Sequence, residues 1–230
     1  FVYCDGEAAD ISWPEPCIVE YVTNGQGGIN SLSKGTIDAM MADKNTSIYD
    51  LIGIGNIRKK YPPLTSTEKT VMQTVIGDMM SAYPSESYGI IFGSHGSGWL
   101  PTITGTRSIG QDGGRYSSDT ALIPELAEVL RTVNPQKFDF VLFDACMMGC
   151  AEVYYELKDA ARYCIASVLD IPAAGFPYAS VMPYLYENAS KEYLWPICKD
   201  YIDYYNYNGW GPFRQWIAIR WKAWRKRSEV

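Results

Sequence analysis

Two residues of this chain could do chemistry together. His95 is its single histidine, and Cys146 is one of six cysteines. Each follows a short apolar run. Tyr88-Gly-Ile-Ile-Phe-Gly-Ser94 leads straight into His95-Gly96-Ser97-Gly98-Trp99, and the run 140–143 stops at Asp144, two residues before Cys146. Short runs that are apolar on both faces are what buried parallel strands look like. In open α/β sheets the ligand crevice lies outside the carboxyl ends of such strands. If the two strands are neighbours, an imidazole and a thiol face one crevice. The thiol is the stronger nucleophile as thiolate, and a nearby imidazole can take its proton or protonate a leaving amine. Main-chain N–H groups at Gly96 and Cys146 could receive a developing oxyanion. That combination performs acyl transfer on a peptide or amide. Position alone keeps a second reading open for each residue: Cys146 as a small buried packing residue, and His95 as a satisfied structural histidine.

Other cysteine chemistries fit less well. A cysteine phosphatase loop requires arginine six residues after the thiol, where this chain has Glu152. There is no Cys-x-x-Cys pair, and one histidine with scattered cysteines is a poor zinc set, so no metal site is expected.

These residues need a scaffold, and the pattern around them supplies one. Residues 1–4 and 17–22 read as strands forming a hairpin-like pair at one side of a sheet. No element is assigned between them and residue 60. Thr65-Ser-Thr-Glu68 resembles a capping box, and Val71, Met72, Val75, Ile76, Met79 and Met80 give one apolar face to a helix over residues 67–82. Residues 100–118 read as a long polar loop holding Arg107 and Arg115. A helix is expected to open at Ser118-Asp119 and to end at Asn134-Pro135. After the Cys146 strand come a helix over 147–161, a strand over 163–168 and a loop carrying Asp170. Beyond Tyr178 lie aromatic-rich helical stretches interrupted by Pro183 and Pro196. Strands alternating with helices predict βαβ units and a mostly parallel sheet covered on both faces.

The bulk properties agree. A chain of 230 residues with 47% hydrophobic content can bury a sizeable core. A net charge of −6 argues against nucleic acid as a partner. No apolar run is long enough to span a membrane.

The two motifs together, Gly93-Ser-His95-Gly-Ser-Gly-Trp99 and Phe143-Asp144-Ala-Cys146-Met-Met-Gly149, resemble the clostripain family of cysteine peptidases, which belong with the caspase-, legumain- and gingipain-like enzymes. Tyr83-Pro84, Thr106-Arg107, Gly110-Gln-Asp112, the 151–157 stretch and Gly175-Phe-Pro-Tyr178 also match. The resemblance covers roughly residues 1–190. It implies a caspase-like three-layer α/β/α sandwich, with His95 as general acid/base and Cys146 as nucleophile in an endopeptidase that cuts after Arg or Lys. It makes Asp144 the acceptor for the substrate's cation, with Ser167 and Asp170 as further substrate-binding residues; the bland reading of Asp144 is a helix N-cap. It further implies self-activation by cleavage between the two motifs, at Arg107 or Arg115. No cofactor is expected to be required, although calcium is an allowed ligand. The expected partners are proteins or peptides with Arg or Lys at the cleavage site. The expected state is a monomer, secreted or attached to a bacterial cell envelope.

The peptidase domain is expected over 1–209. Residues 210–230 form an atypical tail. Four of the seven tryptophans lie there, and residues 214–230 hold six basic side chains against one acidic. This composition fits either a basic amphipathic tail or out-of-frame translation. A catalytically impaired or truncated domain acting as an interaction module is the alternative function.

Overall fold

The computed structural model describes residues 2–4, 16–22, 32–43, 53–98, 108–112, 119–172, 175–178, 180–181, 184, 194–207 and 216–220. In chain order the elements are β1 (Val2–Cys4), β2 (Cys17–Glu20), α1 (Lys34–Ala42), β3 (Asn56–Lys60), α2 (Lys69–Ala82), β4 (Gly89–Gly93), β5 (Ser108–Asp112), β6 (Asp119–Leu122), α3 (Ile123–Val133), β7 (Phe138–Asp144), α4 (Ala151–Leu157), β8 (Ala161–Ser167), α5 (Leu194–Tyr207) and β9 (Trp216–Arg220).

The sheet that matters for function has the order β4-β7-β8-β9. β7 runs parallel to β4, from Gly89↔Phe140 to Gly93↔Asp144, and parallel to β8. β9 closes the far edge antiparallel, from Tyr163↔Arg220 to Ser167↔Trp216. Alternation along β7 explains why its run is apolar throughout. Val141 and Phe143 point into one core with Leu126, Leu130, Val153, Tyr154 and Leu157, from α3 and α4. Phe140 and Leu142 point into the other, with Ile197, Cys198, Tyr201 and Tyr205 of α5. Both faces are covered, so the expected three-layer α/β/α sandwich with a mostly parallel sheet is what the chain forms.

Several boundaries differ from the sequence reading for identifiable reasons. β1 and β2 do pair antiparallel, but with β3 they make a sheet of their own. The segment left unassigned before residue 60 supplies α1, capped by the Ser33 hydroxyl on the Thr36 N–H at 3.2 Å. The capping box does not form. Glu68 is itself the N-cap of α2, without a side-chain cap bond, because Thr65 lies in a turn closed by the Glu68 N–H at 3.0 Å. Residues 119–122, expected to open a helix, form β6 against β5, so part of the expected 100–118 loop is also strand. Helix α3 begins only at Ile123, with Pro124 in its first turn, where a missing N–H goes unmissed. Pro196 likewise lies in the first turn of α5 and does not interrupt it. From the tail, residues 216–220 become β9. Among the described residues no helix is long and apolar enough to cross a membrane.

Candidate active site

The first loop of the site grows from β4. Opposite Gly93 stands Asp144, and the Ser94 N–H donates to the Asp144 carbonyl at 3.2 Å. The His95 carbonyl then accepts from the Gly110 N–H at 2.9 Å, and the Ser97 N–H donates to the Ser108 carbonyl at 3.1 Å. These bonds flank the bridge between Gly96 and Ile109 and leave the Gly96 N–H out of it. β5 thus braces the histidine loop, while the imidazole itself is exposed.

The second loop grows from β7. The expected helix over 147–161 starts only at Ala151, because the backbone before it is engaged elsewhere. Met147 has φ 63°, outside the helical region. Its N–H donates to the Leu169 carbonyl at 3.1 Å, and that of Gly149 to the Ser167 carbonyl at 2.6 Å. Cys146 therefore sits on an irregular loop stitched to the end of β8 rather than inside a helix. Its Sγ accepts from the Ile171 N–H at 3.3 Å.

The two loops touch through glycine. A Cβ at Gly96 would lie 2.5 Å from the Cys146 carbonyl oxygen and 3.1 Å from the Ala145 Cβ. At Gly98, where φ is +57°, it would lie 2.1 Å from the Met147 carbonyl oxygen. Such distances exclude side chains, so the backbone following His95 packs directly on the backbone carrying Cys146.

The Cys146 thiol is held above its ordinary range. Burial is the main cause; the nearby carboxylates of Asp170 and Asp144 add to it, and the Ile171 N–H opposes it. The Cys146 thiol is therefore protonated at neutral pH.

Asp144 does not cap a helix: the N-cap of α4 is Cys150. Its Oδ2 instead accepts from the Phe176 N–H at 3.2 Å and from the Tyr178 hydroxyl at 2.7 Å. Its Oδ1 is buried and receives no hydrogen bond among the described residues. A buried acceptor left unpaired costs about 1–3 kcal/mol, so this oxygen gains from any donor that reaches it. Gly175 makes the arrangement possible: φ is +67°, and a Cβ there would meet Oδ2 at 2.6 Å.

The other expected residues divide. Asp170 is exposed beside Cys146 and acts on its thiol. Ser167 is buried, and its hydroxyl accepts from the Leu169 N–H at 3.3 Å, so its visible contact is with the turn leaving β8. Arg107 and Arg115 lie outside the described residues, as does Trp99. Among the described residues no group of three His, Cys, Asp or Glu is disposed to hold a metal. Sequence reasoning missed the roles of Ile171, Gly175 and Tyr178. The last two did stand out, in the Gly175-Phe-Pro-Tyr178 string, but nothing in the string says that it folds back onto Asp144.

The family model for the clostripain peptidases matches residues 31–219. The chain belongs to the clostripain family. Solved structures of clostripain-type enzymes resemble it over much of its length. One is a secreted C11 cysteine protease from Bacteroides thetaiotaomicron in complex with an irreversible peptide inhibitor. It is 38% identical with a TM-score of 0.58, over 66% of this chain and 42% of that one. An inactive zymogen C11 protease from Parabacteroides distasonis is 30% identical with a TM-score of 0.56, over 72% of this chain and 43% of that one. A second secreted C11 protease from Bacteroides thetaiotaomicron, iotapain, matches in fold at 24% identity and a TM-score of 0.60, over 72% and 48% of the two chains. This clostripain-family chain thus spans less than half the length of these structures. No curated protein matches it.

Proposed function

We propose that this chain is a cysteine endopeptidase that hydrolyses peptide bonds after Arg or Lys, with Cys146 as nucleophile and His95 as general base and acid. The observation that carries the reading is the packing of Gly96 on the Cys146 carbonyl, which brings the loop of the only histidine against the loop of the thiol. His95 takes the thiol proton as Sγ attacks the scissile carbonyl carbon. The tetrahedral oxyanion is received by main-chain N–H groups of Gly96 and Cys146. His95 then hands the proton to the leaving amine, and water hydrolyses the thioester. The raised thiol pKa fits this division of labour, since a thiol protonated at rest needs its base.

Specificity for a basic residue rests on Asp144. A half-buried carboxylate with one oxygen satisfied and the other lacking a donor among the described residues suits a guanidinium or ammonium group. No cofactor enters this reaction scheme. Self-activation by cleavage at Arg107 or Arg115 belongs to the same reading, and so does secretion, since two of the similar enzymes are secreted.

A panel of fluorogenic peptides ending in Arg, Lys or Asp tests the proposal directly, with the purified wild-type protein and Cys146→Ala. Turnover of the Arg and Lys peptides is expected, with none of the Asp peptide and none by Cys146→Ala. Equal turnover of all three peptides would remove the basic specificity. Activity surviving in Cys146→Ala would remove the nucleophile.

A further inference from the structure

We infer that Tyr178 is a positioning residue for substrate selection: its hydroxyl, with the Phe176 N–H, fixes the plane of the Asp144 carboxylate that receives the substrate's cation. The inference rests on the reading of Asp144 as the cation acceptor, and goes one residue further.

The geometry is specific. An aspartate carboxylate turns easily about χ2, which is a broad, roughly two-fold torsion. Here Oδ2 is pinned by two donors, the Phe176 N–H and the Tyr178 hydroxyl, while Oδ1 has none among the described residues. One donor is backbone and stays whatever residue stands at 176. The other is a side chain that replacement can remove. Tyr178 is 37% exposed, its ring lies 6.1 Å from that of Phe176, and its hydroxyl is turned inward onto Asp144.

The loop bearing Tyr178 is itself anchored. Gly175 allows the backbone to pass against the carboxylate, and its carbonyl accepts from the Tyr205 hydroxyl of α5. Phe176 packs on Tyr201, with ring centroids 4.9 Å apart, and Tyr201 packs on Tyr205 at 4.7 Å. Helix α5, on the far face of the sheet from α3, thereby sets where the phenol stands.

A guanidinium binds a carboxylate through two donors in a fixed plane, whereas an ammonium is a point charge with freely turning donors. Losing the Tyr178 hydroxyl should therefore cost arginine more than lysine.

The test uses Tyr178→Phe and Asp144→Asn in the purified protein. Three reagents for Cys146 are compared: a peptidyl chloromethyl ketone ending in Arg, its counterpart ending in norleucine, and iodoacetamide. For Tyr178→Phe the Arg reagent should slow about ten-fold, while the other two change less than two-fold and thermal stability is kept. With substrates, KM for Arg peptides should rise more than KM for Lys peptides, with little change in kcat. Asp144→Asn should erase the preference for Arg over norleucine. If Asp144→Asn erases that preference and Tyr178→Phe leaves it intact, the positioning role is wrong while the Asp144 reading stands. Equal slowing of all three reagents by Tyr178→Phe makes the tyrosine merely structural and also overturns the inference. If Asp144→Asn keeps the preference, the Asp144 reading fails and this inference with it.

Discussion

Gly93 and Asp144 face each other across two parallel strands, and the Ser94 N–H extends the pairing by donating to the Asp144 carbonyl at 3.2 Å. This alignment sets the distance along the chain to each reactive group: His95 follows Gly93 by two residues, as Cys146 follows Asp144. The site is in register because the strands are.

His95→Ala should therefore reduce kcat for an Arg peptide by on the order of 100- to 10,000-fold, the usual range for losing a general acid/base. The imidazole is exposed, so the melting temperature should hardly move. A kcat within ten-fold of wild type would show that another group handles the proton.

Asp170 lies close enough to Cys146 to oppose its ionisation. A carboxylate disfavours a nearby thiolate, so removing it lowers the thiol's pKa. In Asp170→Asn, alkylation of Cys146 by iodoacetamide should speed up several-fold at pH 7, and its pH profile should move to lower pH. Peptide mapping of the labelled protein separates Cys146 from Cys150. An unchanged profile would mean that Asp170 does not act on the Cys146 thiol.

Self-cleavage, if it occurs at the two arginines, should depend on both the cut sites and the thiol. The wild-type protein should convert to two bands on storage, and Arg107→Gln combined with Arg115→Gln should remain one band, as should Cys146→Ala. A fully active wild type that stays one band would end this prediction.

Gly98→Ala probes the contact between the loops. The added methyl would meet the Met147 carbonyl oxygen at 2.1 Å, from a backbone already at φ +57°. That oxygen belongs to the main chain and cannot swing aside. A loss of about 1–3 kcal/mol is expected in urea unfolding, with a fall in kcat larger than that of a surface glycine such as Gly53.

Alkaline stability follows from the buried thiols. Cys198, on the core-facing side of α5, is pushed by burial from an ordinary 9.0 up to about 12. Cys164, in the opposite core, moves in the same direction for the same main reason. Between about pH 9 and about pH 12 the unfolded chain has released the Cys198 proton and the folded chain has kept it. Unfolding is then favoured as pH rises through that window, and unaffected by this thiol below it. The melting temperature should be level from pH 6 to 8 and decline above about 9, with a shallower decline in Cys198→Ala. A level profile to pH 11 would contradict the burial.

The sequence by itself determined the parts of this protein that depend on near neighbours. The apolar runs ending at Gly93 and Asp144 announced parallel strands; β7 is buried as expected, but β4 stands at the edge of the sheet among the described residues and is only partly covered. The periodic faces of residues 71–80 and 122–130 announced the helices that cover one side. The glycines flanking His95 and the Asp-Ala-Cys spacing carried the resemblance to the clostripain family, because each is legible within a few residues. Tertiary structure decided what depends on distant partners. Helix α4 starts late because Met147 and Gly149 donate to Leu169 and Ser167, some twenty residues away. The stretch 119–122 became a strand because 108–112 was there to pair with it. Asp144 proved to be a clamped carboxylate and not a cap because Phe176 and Tyr178, more than thirty residues on, supply its donors. A hydrogen bond closed across such a loop leaves no periodicity in the chain. The strand that leads to Cys146 could be read from its own residues, but the loop folded onto Asp144 could not.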